Sequence, residues 1–244
     1  MSDSPTGRAP VIAALDVDTR AEAAAVMDRL GGLIGFFKVG LQLYTREGWP
    51  AVGDVIERGH EVFVDLKFHD IPNTVQRAAR NLARPGVRLI TVHASGGSEM
   101  IAAAAAAVRE ARAGDPRVLT KLLAVTVLTS LDDSDLREIG VDHSMAGQVL
   151  NLARLSRAAG ADGVVASPQE LRLLRAELGR EAVIVTPGVR LEGGAAHDQK
   201  RVMTPAEALH EGSDFLVMGR SLFEASDPGA ILRAIAREIP PAGR

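Results

Sequence analysis

The chain has 244 residues, of which 46% are hydrophobic, so it is long and apolar enough to form one large α/β domain or two small ones. Its net charge of −3 and its 3% aromatic content favour neither nucleic-acid binding nor attraction to an anionic membrane surface. It contains no cysteine, which excludes disulfides and thiolate chemistry and is compatible with a cytoplasmic location.

Residues 1–10 are polar and lack the apolar core of a signal peptide, so we expect them to form a flexible N-terminal extension. No apolar run reaches the roughly 18 residues that a membrane span requires. The nearest candidate, residues 119–128, is shorter and contains Lys121 and two threonines. We therefore expect a cytoplasmic protein without a membrane-spanning segment.

Short apolar runs alternate along the chain with longer patterns that are typical of amphipathic helices. The predicted strands are residues 11–16, 35–39, 62–67, 88–93, 119–126, 163–166, 182–186 and 215–218. The predicted helices are residues 20–30, a short helix within 48–58, and residues 74–83, 98–113, 145–159, 169–178, 205–210 and 228–238. Eight strand–helix units in about 250 residues are typical of a (β/α)8 TIM barrel. We predict a single α/β barrel domain over residues 1–244, with an open doubly wound sheet as the alternative.

The predicted third strand ends in charged residues. Asp65 and Lys67 are two positions apart, so on a strand their side chains point to the same side. Asp70 follows in the loop, and Pro72 suits the first position of a helix. Only four of the 28 basic residues are lysines, and both Lys38 and Lys67 fall at strand ends. An amine can give up a proton, which a guanidinium cannot do, so these two lysines are candidates for chemistry.

Lys38, Asp65, Lys67 and Asp70 form a candidate chain of alternating charges. An ammonium group fixed in such an array can stabilise a developing carbanion and then protonate it. A purely structural network of ion pairs is the alternative interpretation.

A second cluster follows the seventh and eighth predicted strands, where TIM barrels commonly bind phosphate. It consists of residues 186–190, Gln199, Gly219 and Arg220. Glycines allow backbone N–H groups to approach a ligand closely, and arginine donates hydrogen bonds to phosphate oxygens. We therefore predict a phosphate-binding site here. The polar, glycine-containing residues 191–198 form either a mobile lid over this site or an ordinary surface loop.

Metal and cofactor motifs are missing from the sequence. There is no paired-histidine motif and no glycine-rich dinucleotide fingerprint after a strand. His69 and Asp70 lie near Asp65, but the amine of Lys67 would compete with a cation among them. We expect neither a metal ion nor a cofactor.

Residues 65–74, with the sequence DLKFHDIPNT, resemble the signature of the orotidine 5′-phosphate decarboxylase family. The resemblance extends over nearly the whole chain. Further similar segments are residues 14–16, 38–40, 92–97, 124–130, 186–190, 198–199 and 219–220.

The resemblance implies a homodimer of barrels that converts orotidine 5′-monophosphate (OMP) to uridine 5′-monophosphate (UMP), the last step of UMP biosynthesis, without a cofactor. It makes Lys67 the proton donor to C6 of the pyrimidine and places Asp65 beside the departing carboxylate. Lys38 completes the charged network, and Asp70 enters it from the partner subunit.

The resemblance also implies a set of substrate-binding residues. Asp16 and Lys38 would hold ribose hydroxyls, and Thr129 would bind the base. Ile71 and Thr74 would reach the substrate across the dimer interface. At the phosphate end, the expected residues are Pro187, Arg190, Gln199, Gly219 and Arg220, with Gln199 bridging to the base.

Two other functions stay open at this point. One is a magnesium-dependent decarboxylase or aldolase that acts on a sugar phosphate, which would need a set of carboxylate ligands that the sequence does not offer. The other is a nucleotide-binding protein without activity that keeps Arg190 and Arg220 for phosphate. The intact set of two lysines and two aspartates disfavours the second alternative.

Overall fold

The computed structural model describes residues 9–189 and 203–238 of the chain. Eight parallel strands form a closed barrel in sequence order, with the first strand paired to both the second and the eighth. The strands are β1 Val11–Ala14, β2 Phe36–Gly40, β3 Glu61–Phe68, β4 Val87–His93, β5 Lys121–Val125, β6 Gly163–Val165, β7 Val183–Thr186 and β8 Phe215–Met218. The predicted (β/α)8 barrel is confirmed, and closure excludes the open sheet.

Helices on the outside of the barrel connect the strands. They are α1 Arg20–Leu30, α2 Leu41–Glu47, α3 Trp49–Glu57, α4 Pro72–Leu82, α5 Ser98–Gly114, α6 Asp133–Glu138, α7 Met145–Ala158, α8 Leu171–Leu178, α9 Pro205–His210, α10 Arg220–Phe223 and α11 Pro228–Arg237. The helices α2, α6 and α10 were not predicted from the sequence. Pro72 is the first residue of α4, as its residue type predicted, although the predicted range of this helix began two residues later, at residue 74. A 3₁₀ turn, Pro168–Glu170, starts the segment that was predicted as one helix over residues 169–178. None of the helices in the described ranges is both long and apolar enough to cross a membrane.

Apolar side chains fill the inside of the barrel beneath the strand ends. The interior cluster consists of Ile12, Phe36, Phe63, Leu89, Leu123, Val125, Val165 and Val185. Alternate residues of a strand face the same side, so the residues two positions beyond Phe36 and Leu89 also face the interior. Those residues are Lys38 and Thr91. The apolar cluster thus forms a floor under the polar groups at the carboxyl ends of the strands.

The opposite end of the barrel is held by two similar clamps. Asp162, just before β6, accepts hydrogen bonds from the N–H of Leu122 at 2.8 Å and from Arg112 at 2.7 Å. Asp214, just before β8, accepts from the N–H of Ile184 at 2.7 Å and from Arg175 at 2.8 Å. Each clamp ties one strand to the start of the next. Charged groups at this end therefore serve stability, as is usual for the amino-terminal face of such barrels.

Candidate active site

The carboxyl ends of β1, β2 and β3 bring four charged side chains together. Lys38 and Asp65 are buried, with 8% and 7% of their surfaces exposed. Asp16 follows β1 and is more open, with 48% of its side chain exposed. Lys67 lies between these extremes, with 27% of its side chain exposed. The cluster thus has a buried centre and a solvent-exposed edge. An enzyme site that admits a substrate needs such an opening.

These four side chains form a continuous chain of contacts. Lys67 Nζ donates to Asp65 Oδ2 at 2.8 Å. Lys38 Nζ lies 3.9 Å from the same oxygen and donates to Asp16 Oδ1 at 2.8 Å. The order is therefore Lys67, Asp65, Lys38, Asp16, in which each ammonium group lies beside a carboxylate. Such pairing offsets much of the free energy that burial of charges costs.

The backbone of β3 is irregular where it carries the central pair. The pairing of β3 with β4 shifts between Val64 and Phe68, which face Ile90 and Val92 respectively. Lys67 has a φ of +50°, and it is the single non-glycine residue with positive φ among those described. This left-handed conformation costs about 1–2 kcal/mol for a residue with a side chain. Asp65 and Lys67 thus lie on the predicted strand and their side chains meet, but the pairing of this strand with β4 is irregular there, which the sequence did not predict.

Thr91 on β4 is a member of the site that the sequence analysis missed. It is fully buried, and its hydroxyl donates to Asp65 Oδ1 at 2.9 Å. The Thr91 hydroxyl oxygen, Oγ1, also accepts the backbone N–H of Lys67 at 3.0 Å. Threonine is common in strands, so its type and position carried no functional signal.

Gly40, the last residue of β2, leaves the space that the amine of Lys38 occupies. A Cβ atom at this position would lie 2.8 Å from Lys38 Nζ and 3.4 Å from Asp16 Oδ1. Any larger residue would push the amine aside. The glycine in the sequence Lys38-Val39-Gly40 is thus explained by the contact between Lys38 and Asp16.

The residues predicted to act across a dimer interface lie on the exposed surface after β3. Ile71 is 65% exposed, and Thr74 is also exposed in the first turn of α4. The carboxylate of Asp70 accepts the backbone N–H of Ile71 at 2.6 Å. Among the described residues of this chain, no ion pair involves Asp70. The structure therefore does not bring Asp70 into the charged network within a single chain.

The predicted phosphate-binding residues are only partly described. Gly219 caps α10, and Arg220 is its first residue. A Cβ atom on Gly219 would lie 4.0 Å from Asp16 Oδ2, so the end of β8 adjoins the charged cluster. Pro187 follows β7 and Thr129 follows β5, both at the same face of the barrel. Arg190, Gln199 and the predicted lid, residues 191–198, lie outside the described residues.

Two histidines lie beside the cluster. The ring centroids of His69 and His93 are 5.7 Å apart. Burial lowers the pKa of His93 below its usual 6.5, and electrostatic interactions with His69 and Lys67 lower it further, while Asp65 acts in the opposite direction. Within residues 9–189 and 203–238, no group of three or more His, Cys, Asp or Glu side chains is arranged to hold a metal ion.

Comparisons with known proteins agree on one family. The family model described as "Orotidine 5′-phosphate decarboxylase / HUMPS family" matches residues 9–235. An orotidine 5′-phosphate decarboxylase of Moorella thermoacetica is 55% identical over 230 residues, which are 94% of this chain and 91% of that protein. Another, of Syntrophotalea carbinolica, is 50% identical over 95% of each chain. The crystal structure of orotidine 5′-phosphate decarboxylase from Lactobacillus acidophilus matches with a TM-score of 0.81 and 39% identity, covering 96% of this chain and all of that one. The similarity thus extends over both the sequence and the barrel.

The titration of His93 tests the electrostatics of the site independently of activity. We expect its pKa, measured by NMR, to lie below 6.5 in the folded protein. Because the unfolded chain then binds the proton more readily, the contribution of His93 to stability is complete above about pH 6.5 and is lost as the pH falls through the folded-state pKa. The Lys67→Ala substitution removes one of the interactions that lower the pKa of His93, so the pKa of His93 should be higher in this variant.

Lys121→Ala is the matched control for this titration. Lys121 is the first residue of β5, at the opposite end of the barrel, so its removal should leave the His93 titration unchanged. A pKa at or above 6.5 in the wild-type protein, or equal values in the wild type and in Lys67→Ala, would contradict the described electrostatics.

Proposed function

The chain belongs to the orotidine 5′-phosphate decarboxylase / HUMPS family, and we propose that it decarboxylates OMP to UMP through a C6 carbanion that Lys67 stabilises and protonates. The observation that carries this proposal is the contact of 2.8 Å between Lys67 Nζ and Asp65 Oδ2 at the carboxyl end of β3. It fixes an ammonium group at the face of the barrel where TIM-barrel enzymes do their chemistry.

The chemistry requires positive charge at one carbon atom. When the bond between C6 and its carboxylate breaks, CO2 leaves and the electron pair stays on C6, where the ring offers no good electron sink. A preorganised ammonium group stabilises this charge as it develops, because the protein does not have to reorganise at that moment. Lys67 then transfers a proton from Nζ to C6, which gives UMP, and the neutral amine takes a proton from water.

The neighbouring charges keep the donor in place. Asp65 contacts Lys67 through Oδ2 and lies 3.9 Å from Lys38 Nζ, so it holds the array from its centre. In the proposed complex, Asp65 lies beside the departing carboxylate. Asp16 and Lys38 bind ribose hydroxyls at the solvent-exposed edge of the cluster, where the side chain of Asp16 is nearly half exposed. No cofactor enters this mechanism.

Binding energy comes from the other end of the substrate. We place the phosphate against Gly219 and Arg220, together with Pro187, Arg190 and Gln199, and the base near Thr129. Arg220 is exposed at the start of α10, and Gly219 lies near Asp16, which supports a nucleotide lying across the mouth of the barrel from β8 to β3. Contacts remote from C6 can hold the ring in the reactive position.

The active unit in this proposal is a homodimer. Ile71 exposes 65% of its surface next to Asp70, so contact with a partner subunit at this point would remove apolar surface from water. We propose that Asp70, Ile71 and Thr74 of each subunit complete the site of the partner. Asp70 then brings a second carboxylate towards Lys67, which explains why it makes no ion pair with the described residues of its own chain. The cytoplasmic location expected from the sequence stays a prediction.

Lys67→Ala tests the proposed role of the amine. We expect kcat for OMP to fall by at least about 10³-fold, since both the charge and the proton donor are lost. UMP binding should stay within about tenfold of the wild-type value, because the remote contacts persist. Lys121→Ala is the control and should keep wild-type turnover. Near-normal turnover by a folded Lys67→Ala variant would disprove the mechanism.

Mixed dimers test the shared site. If Lys67 of one subunit works with Asp70 of the other, a heterodimer of Lys67→Ala and Asp70→Ala subunits contains one fully wild-type site and one doubly altered site. We expect such heterodimers, purified with two different tags, to show about half of the wild-type turnover per dimer. Activity no higher than that of the two variant homodimers would place both residues in the same subunit's site.

A further inference from the structure

We infer that Thr91 is the positioning residue that sets the geometry between Asp65 and Lys67. This inference rests on the proposed function for its meaning in catalysis, but its structural content stands on two hydrogen bonds. The Thr91 hydroxyl lies between the carboxylate of Asp65, at 2.9 Å, and the backbone N–H of Lys67, at 3.0 Å. It is therefore the one side chain of β4 that contacts both members of the central ion pair through hydrogen bonds among the described residues.

The direction of both hydrogen bonds is fixed by their partners. A backbone N–H can only donate, so Thr91 Oγ1 accepts from Lys67. An ionised carboxylate can only accept, so the single hydroxyl proton of Thr91 goes to Asp65 Oδ1. Both functions of the hydroxyl are therefore used at once. Valine, which has nearly the same shape, can supply neither.

The irregular backbone of β3 explains why a side chain is needed here. Around Lys67 the register between β3 and β4 shifts, and the residue has a φ of +50°. The N–H of Lys67 then finds its acceptor in the Thr91 side chain. Because Thr91 is fully buried, water does not substitute for it in the folded protein. The hydroxyl thus supports a backbone conformation that is unfavourable for lysine.

The same hydroxyl determines which carboxylate oxygen faces the amines. Asp65 Oδ1 is engaged by Thr91, which leaves Oδ2 directed at Lys67 Nζ at 2.8 Å and at Lys38 Nζ at 3.9 Å. Loss of the hydroxyl frees the carboxylate to rotate and the Lys67 backbone to relax. The proton donor then no longer lies where C6 is bound, although the contacts to phosphate and ribose persist.

Thr91→Val is the primary test, with Thr120→Val as the matched control. Thr120 is also fully buried, and its hydroxyl donates to the carbonyl of Val87 at 2.7 Å, at the far end of β4. For Thr91→Val we expect kcat for OMP to fall about tenfold to hundredfold while KM changes less than about threefold. Thr120→Val should keep the wild-type kcat, even if its melting temperature is lower. Thr91→Ser, which keeps the hydroxyl, should recover most of the lost turnover.

A second pair of variants tests the inference even if Thr91→Val does not fold. Thr91→Ser and Thr91→Ala differ only in the hydroxyl, so their ratio of kcat values measures its effect if Thr91→Val does not fold. Equal kcat values for Thr91→Ser and Thr91→Ala, or a loss in Thr120→Val as large as in Thr91→Val, would overturn the inference. So would a fall in kcat/KM that comes from KM alone.

Crystal structures of Thr91→Ser and Thr91→Ala separate this inference from the proposed function. We expect Thr91→Ser to keep the 2.8 Å contact between Lys67 Nζ and Asp65 Oδ2, and Thr91→Ala to lose it or to change the backbone at Lys67. Unchanged geometry in Thr91→Ala would overturn the positioning role, whatever the activity. A wild-type protein that does not turn over OMP would refute the proposed function, and these structures would still decide the role of Thr91.

Discussion

The site depends on a single carboxylate, that of Asp65, because it is shared by both amines at the mouth of the barrel. Its Oδ2 atom lies 2.8 Å from Lys67 Nζ and 3.9 Å from Lys38 Nζ. Without a partner, two ammonium groups so close together would repel each other and would be costly to bury. With Asp65 between them, they are held in place before any substrate arrives. This preorganisation is what electrostatic stabilisation of a carbanion requires.

The fold supplies the support for this arrangement from two sides. Beneath it, the apolar cluster that includes Phe36, Phe63 and Leu89 excludes water from the barrel interior. Beside it, β4 provides a hydroxyl at the point where β3 departs from regular geometry. The unfavourable backbone of Lys67 is tolerated because the rest of the barrel determines it. Strain at a functional residue is thus offset by the packing and hydrogen bonds around it.

Local patterns in the sequence predicted most of the fold, because strands and helices carry local signals. The bounds of α1 and α9 were correct, and both helices begin with a complete capping box. In contrast, the residue before α2 is Gly40, which has no side chain to cap the helix, and α10 has only four residues, so neither helix gave a usable signal. The capping box of α6 was present at Asp132 and Asp135 but was passed over. Lys67 and Thr91 could not be linked from sequence, since their contact depends on a shifted register between two strands.

The measurement that tests the central claim most directly is the ultraviolet absorbance of OMP mixed with purified protein in excess EDTA. If a fixed array of lysines and aspartates performs the decarboxylation without a metal ion, the orotate chromophore disappears, and UMP forms in equal amount at the same rate as without EDTA. Failure in EDTA that magnesium reverses would contradict this claim and indicate a metal-assisted reaction. OMP that binds without being converted, with or without magnesium, would contradict it as well and indicate a nucleotide-binding protein.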